Sequence, residues 1–432
     1  MAEGPAGEAV ASDLLAYIDA SPTPFHAVAE AIRRLVAAGF TATNPLQAWD
    51  GLPPRGFLAR DGALVAWSVP DGAPAATPFR LVGAHTDSPN LRIRPQPDTG
   101  RAGWRQVGVE VYGGALVNSW LDRDLGLSGR VAVRAEGRVE MRLVRVDRPV
   151  LRVPQLAIHL DREIGERGLL LDRQQHLVPV WSVGGPEPGG FTRFLACEMG
   201  VETDEVLTWD VMVHDVTPGA FLGRDRELLS APRLDNLCSC HAAVTALAGH
   251  TGTGSIAVVS LFDHEEVGSM SATGADGGFL ATVLERLTLA RGGDRAEHLR
   301  ALAGSTCLSA DMAHATHPNY PERHEPDHQV AVNAGPVVKL NVNQRYATDS
   351  RTQAGFEQAC ADAGVPVQRF SSRGNMPCGS TIGPITAARL GIPTLDVGVA
   401  QLSMHSAREL CGADDPAMFG AALSAWLSPS AR

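Results

Sequence analysis

The chain has 432 residues, of which 44% are hydrophobic and 20% charged, and it carries a formal net charge of −11. That length allows two domains or one large domain with an insertion, and the composition excludes general disorder. The acidic balance argues against a nucleic-acid-binding surface, and any acidic substrate would have to be captured by local basic groups.

The N-terminal residues Met1-Ala-Glu-Gly-Pro-Ala-Gly-Glu8 carry acids where a secretion signal would carry Lys or Arg. No stretch approaches the ~20 apolar residues needed to span a bilayer. The cysteines are 7, an odd number, scattered without a disulfide framework. A cytoplasmic protein without membrane association is expected.

In chain order, residues 9–35 have helical apolar spacing broken by Ser21-Pro-Thr-Pro24, which predicts two helices around a turn. Residues 79–87 read as a short buried strand ending in His85-Thr-Asp87. Alternating runs such as 129–145, with a turn at Glu136-Gly137, predict antiparallel strands in a region without helical periodicity. After Leu234 the α/β alternation returns. Helices are predicted at 236–248, 277–290, 352–363 and 416–426, and strands at 256–262, 306–311, 337–341 and 392–398. The fold class that follows is α/β. Residues 1–92 and 233–432 would form the α/β domain, interrupted by a β-rich insertion over 93–232.

Several polar residues lie where predicted strands end, the edge at which open α/β sheets bind ligands. The buried run 256–262 leads into Asp263-His-Glu-Glu266, and adjacent carboxylates can converge only where the strand has ended and the backbone turns. His85 and Asp87 project to the same side of an extended segment, so one could bind a cation while the other braces it. Asp235 precedes an apolar helix and alone would read as an N-cap. Asp311 and His405 follow strand-like segments and alone would read as loop residues. Together His85, Asp235, Glu266, Asp311 and His405 supply two imidazoles and three carboxylates, a mixture suited to two divalent cations such as zinc. Glu265 is then a carboxylate beside a ligand, placed to accept a proton from an attacking water. Lys339 supplies a compact positive charge, useful near an acidic substrate, although a solvated strand residue would look the same.

Eight strings spread along the chain, among them Gly83-Ala-His-Thr-Asp-Ser-Pro-Asn-Leu-Arg92, Arg233-Leu-Asp-Asn236, Asp263-His-Glu-Glu-Val-Gly-Ser269, Asp311-Met-Ala-His-Ala-Thr-His-Pro-Asn-Tyr320 and Cys378-Gly-Ser-Thr-Ile-Gly-Pro384, resemble the aspartyl aminopeptidases. These are dinuclear zinc exopeptidases that remove N-terminal Asp or Glu from peptides. The resemblance implies a zinc-exopeptidase-like α/β/α catalytic domain and an insertion domain that mediates dimer contacts within a homododecamer. It implies that His85, Asp235 and Asp311 hold one zinc and Asp235, Glu266 and His405 the other. Asp87 would brace His85, Glu265 would be the general base, and His159 would reach a neighbouring subunit's site. Lys339 would face the acidic side chain, with His314, Gly379, Ser380 and Thr381 lining the pocket. Asn375 departs from the Asp usual in the family, which bears on substrate preference. A neutral or acylated N-terminal residue as substrate, or a catalytically silent peptide-binding shell, are the competing expectations.

Overall fold

The computed structural model describes residues 4–252 and 254–429. The chain divides into two compact units, one formed by residues 1–87, 219–404 and 409–432, the other by 88–218 with 405–408.

In the first unit a nine-stranded sheet runs in the order Thr41–Ala42, Arg55–Arg60, Ala63–Ser68, Ile256–Phe262, Phe79–His85, Thr306–Ala310, Thr394–Gly398, Val337–Leu340, Gln368–Ser371. The four strands from Ile256–Phe262 to Thr394–Gly398 are parallel to one another, and the strands flanking them, Ala63–Ser68 and Val337–Leu340, pair antiparallel. Strand periodicity sends alternate side chains to opposite faces. Val82, Ala84, Val259 and Leu261 thus join a core with helical residues Leu237, Val244 and Phe419, whereas Phe79, Leu81 and Val258 meet Phe279, Val283 and Leu287. Both faces of the sheet are covered by helices, which is why its central strands read as continuous apolar runs rather than alternating ones. A separate five-stranded sheet joins Ala220–Leu222, Leu228–Ala231, Glu409–Gly412, Ala400–Leu402 and Ala313–His314.

The expected helix pair at the start of the chain spans Gly4–Ala20 and Pro24–Ala37, broken where Thr23 is extended and Pro24 opens the second helix. A proline there lacks only an N–H that the first turn leaves unpaired anyway. This pair is tied to the helix Leu234–Ala248 through Asp13, whose carboxylate lies 2.7 Å from His241 Nε2 and 2.6 Å from Arg34 Nη1.

The second unit is built on a six-stranded antiparallel sheet ordered Arg138–Leu151, Leu125–Ala135, Val206–Asp215, Asn90–Arg101, Trp104–Tyr112, Val180–Val183. Glu136 (φ 50°) and Gly137 (φ 76°) make the two-residue turn of its longest hairpin, both left-handed as the twist of the flanking strands favours. A helix, Gly190–Met199, buries Phe191, Leu195 and Ala196 against the core of this sheet. It was not anticipated from periodicity, since three inward residues in ten are too few to separate from the surrounding strand pattern. No helix among the described residues is long and apolar enough to cross a membrane.

The hydrogen bond from His241 holds the Asp13 carboxyl well below its usual range; burial opposes this and Arg34 reinforces it. A depressed folded-state pKa contributes stability above the unfolded value, and the contribution disappears as pH falls. Asp13→Asn should therefore lower the melting temperature at pH 7 by the equivalent of at most about 1 kcal/mol, because the carboxylate is half-exposed and screened. The gap between variant and parent should close below pH 4, as followed by circular dichroism. A gap independent of pH would show that Asp13 acts through packing instead.

Candidate metal centre

The strands Ile256–Phe262, Phe79–His85 and Thr306–Ala310 are neighbours in the sheet and parallel, with Phe262 in register with His85. Their carboxyl ends therefore lie side by side, about 4.8 Å apart per strand. His85 ends the middle strand; beyond the first strand the chain turns at His264 (φ 64°) into the short helix Glu265–Val267. Asp311 follows the third strand directly, its N–H donating to Val397 O.

Asp87 organises this edge. Its carboxylate, fully buried, accepts the main-chain N–H of Glu265 (3.1 Å) and of Glu266 (3.1 Å). Its main-chain carbonyl accepts from His85 Nδ1 at 2.9 Å, while its Oδ1 lies 3.5 Å from the same nitrogen. The brace expected of Asp87 thus runs at its shortest through the carbonyl. Because a carbonyl can only accept, Nδ1 carries a hydrogen, and a neutral His85 has its lone pair on Nε2. That atom faces Asp235 Oδ1 at 3.4 Å.

Asp235 enters from the start of the helix Leu234–Ala248. It does not cap that helix: its own backbone is non-helical (φ −81°, ψ 104°), the peptide to Asn236 is cis, and no side chain caps the terminus. Its N–H donates to Glu409 Oε2 at 2.8 Å, and Asn236 Nδ2 donates to Ala310 O at 2.8 Å, fastening the helix start to the sheet edge. Glu409 was not singled out from sequence, since an acid at the head of a short strand has no distinguishing pattern.

One ligand atom from each of His85, Asp235 and Glu266 lies within 4.8 Å of the others; these three form the only such group of His, Cys, Asp or Glu among the described residues. An imidazole nitrogen with two carboxylates is a donor set that fits zinc. Asp311, 6% exposed, acts electrostatically on Asp235, His85 and Lys339 from close by. Burial pushes its carboxyl up to about 6, opposed by Lys339 and assisted by Asp235. Burial likewise pushes Glu265 up to about 8; His85 opposes the shift, and Asp311, Asp87 and Asp235 add to it. Burial disfavours charge on His85 too, but hydrogen bonds with Asp235 and Asp87 win and hold its pKa well above the ordinary value.

Lys339 is buried, at 2% exposure, rather than solvated. Its Nζ donates to Met312 O (3.1 Å), lies 3.9 Å from Asp311 Oδ1 and is 5.1 Å from the centre of the Tyr346 ring. Of the 37 lysines and arginines in the chain it is the only lysine. A composition that otherwise uses arginine throughout, broken once at a buried position, points to a need for a compact ammonium that a planar guanidinium would not meet.

Of the remaining predicted residues, His314 is exposed with its ring 6.3 Å from that of Phe370. Gly379 O accepts from Arg345 Nε and Ser380 Oγ donates to Arg345 O. Thr381 caps the helix Ile382–Leu390 and donates to Asp396, whose other oxygen accepts the Ala347 N–H at 2.6 Å. Asp396, fully buried in mid-strand, thereby joins the loops around 347 and 381; an acid inside an apolar strand was the available signal for it. Asn375, exposed, accepts from Arg373 Nε. In the second unit, His159 is exposed within Ile158–Leu160. His405 (φ 68°) belongs to that unit as well, its Nδ1 3.2 Å from Gly114 O.

The same unit holds a Ser–His–Asp grouping, with Ser128 Oγ 3.1 Å from His214 Nδ1 and His214 Nε2 3.3 Å from Asp147. Ser128 is 0% exposed, so no substrate can reach it. The Cys238 and Cys240 thiols are also buried; desolvation raises both, Cys240 to about 12, which leaves them as unreactive core residues.

A family model described as aminopeptidase I zinc metalloprotease (M18) matches residues 17–426. The chain is 57% identical to a probable M18 family aminopeptidase 2 of Streptomyces coelicolor over 96% of its own length and 97% of the relative's. Among solved structures it resembles a chain in the cryo-EM structure of the Ape4 and Nbr1 complex, with TM-score 0.94 and 35% identity over 98% of this chain and 87% of that one. It also resembles the S. cerevisiae mApe1 dodecamer, with TM-score 0.85 and 28% identity over 97% of each chain. The chain belongs to the M18 family of zinc metalloaminopeptidases.

Proposed function

We propose that the protein is a dinuclear zinc aminopeptidase that prefers N-terminal Asp or Glu, with Glu265 as its general base. The observation that carries the reading is the convergence of His85, Asp235 and Glu266 at one sheet edge, beside a buried carboxylate that stands outside their donor group. His85, Asp235 and Asp311 would hold one zinc, and Asp235, Glu266 and His405 the other. Zinc bound there would polarise the scissile carbonyl and acidify water. Glu265 would take the proton of the attacking water and pass it to the leaving amine; its raised affinity for a proton suits the first transfer, and the low-polarity surroundings suit the second. Asp87 keeps Glu265 and Glu266 apart by holding their amides.

The acid preference draws on Lys339, the single buried lysine, with His314, Gly379, Ser380 and Thr381 lining the pocket. One observation favours a neutral substrate instead, namely that Lys339 already lies 3.9 Å from Asp311. Self-association into a dodecamer, with the β-rich unit supplying dimer contacts and His159 reaching a neighbour's oxyanion, draws support from the mApe1 dodecamer and from the exposed Leu156, Ile158 and Leu160 around His159. The seven cysteines, all free thiols, suit a reducing cytoplasm.

Three measurements test this reading. Glu265→Gln should lower kcat by roughly 10²–10⁴-fold while zinc content stays near normal; retained activity would remove Glu265 from the chemistry. On Asp-, Glu- and Leu-terminated chromogenic amides the parent should favour the acids, and Lys339→Met should erase that preference; a parent that prefers Leu would decide for the neutral substrate. Zinc binding must displace a proton from His85, and below pH 6 another from Asp311. Zinc affinity should thus fall about tenfold per pH unit between pH 7 and 6, and about a hundredfold per unit below. Competition with a chromogenic chelator would measure this slope, and a flat profile would contradict the ligand set.

A further inference from the structure

The segment containing His405 is held by the loop at 113–120, which belongs to the same β-rich unit. Leu116 N–H donates to His405 O at 3.0 Å, and Ala407 N–H donates to Ser119 Oγ at 2.8 Å. The Ser119 hydroxyl in turn donates to Leu116 O at 2.6 Å, closing a ring of hydrogen bonds around the histidine's backbone. The ring itself is fixed by a second contact, Nδ1 to Gly114 O at 3.2 Å. As with His85 and the Asp87 carbonyl, an acceptor-only partner requires a hydrogen on Nδ1, so the lone pair of the neutral ring lies on Nε2. Gly114 also leaves little room: a Cβ built there would stand 3.2 Å from Nδ1 of His405, tighter than ordinary contact, and 3.6 Å from its Cε1. Two distant stretches of sequence thus meet on one imidazole, one fixing its backbone and the other its tautomer and tilt.

We infer that Gly114 and Ser119 are positioning residues that hold His405 in the tautomer and orientation in which it would bind zinc. The inference rests on the proposed role of His405 as a ligand. Outer contacts of this kind typically change metal affinity by 10–100-fold when removed. Serine at 119 is needed for its hydroxyl, which both accepts from Ala407 and donates to Leu116. Glycine at 114 is needed for close approach of its carbonyl to the ring.

The experiment is a zinc titration of the full-length protein against a chromogenic chelator, with His405→Ala, Ser119→Ala, Ser119→Thr and Gly114→Ala compared at equal fold content by circular dichroism. His405→Ala should lose one of two zinc equivalents. Ser119→Ala and Gly114→Ala should keep the first equivalent at parental affinity and weaken the second by about 10–100-fold, while Ser119→Thr, which retains the hydroxyl, should stay within a few-fold of the parent. If His405→Ala loses an equivalent but Ser119→Ala and Gly114→Ala bind both as tightly as the parent, the positioning role is overturned and the ligand assignment stands. If His405→Ala still binds two equivalents, the ligand assignment fails, and the positioning role with it. Should Gly114→Ala fail to fold, the Ser119 pair alone decides.

Discussion

The buried carboxylate of Asp87, accepting the amides of Glu265 and Glu266, is the constraint on which the site's geometry depends. Charge-assisted bonds of this kind contribute about 1.5–3 kcal/mol each. They tie the turn after the strand Ile256–Phe262 to the end of its neighbour Phe79–His85. Both amides are held by one carboxylate, yet only Glu266 joins the donor group with His85 and Asp235. The carbonyl of the same residue fixes the tautomer of His85. A single residue thus touches the imidazole of the donor group, the amide of its glutamate and the amide of the glutamate outside it.

The cost of this arrangement is electrostatic. Asp87, Asp235, Glu265, Glu266 and Asp311 crowd around His85 and Lys339 in a largely buried space. Concentrating carboxylates away from water disfavours their charged forms. The upward shifts of Glu265 and Asp311 record that cost, which His85 only partly offsets at both. A divalent cation reverses the balance, because it is the largest local charge a site can acquire.

Much of this was legible in the sequence because strand ends are legible. Apolar runs such as 256–262 stop abruptly at polar residues, and in a parallel sheet those stops share one edge. What the sequence withheld are matters of atom and neighbour. Period-two reasoning put His85 and Asp87 on one side, but it could not tell that the carbonyl of Asp87 meets the ring more closely than its carboxylate does. Asp235 looked like a helix cap, yet its backbone leaves the helix and leans on Glu409, 174 residues later. The five-stranded sheet joins pieces from residues 220 to 412, none long enough to announce a partner. Lys339 could be a surface residue until its neighbours were known; burial beside Asp311 decides that.

Two polar clusters, one at strand ends and one in mid-sheet, differ in their prospects because of their position within a sheet. Ser128, His214 and Asp147 lie within three paired antiparallel strands, where ladder hydrogen bonds flank each residue and the side chains fill the space between strands. The hydroxyl is sealed, and exposing it would mean breaking the ladder that holds the unit together. His85, Glu265 and Asp311 stand instead where three strands have just ended, so the main chain is free to turn and to aim amides and carbonyls at side chains without losing sheet bonds. Similar residue types at similar distances therefore have opposite prospects. A cluster at strand ends can admit an ion and a substrate, whereas a cluster in mid-sheet can only stabilise what is already packed.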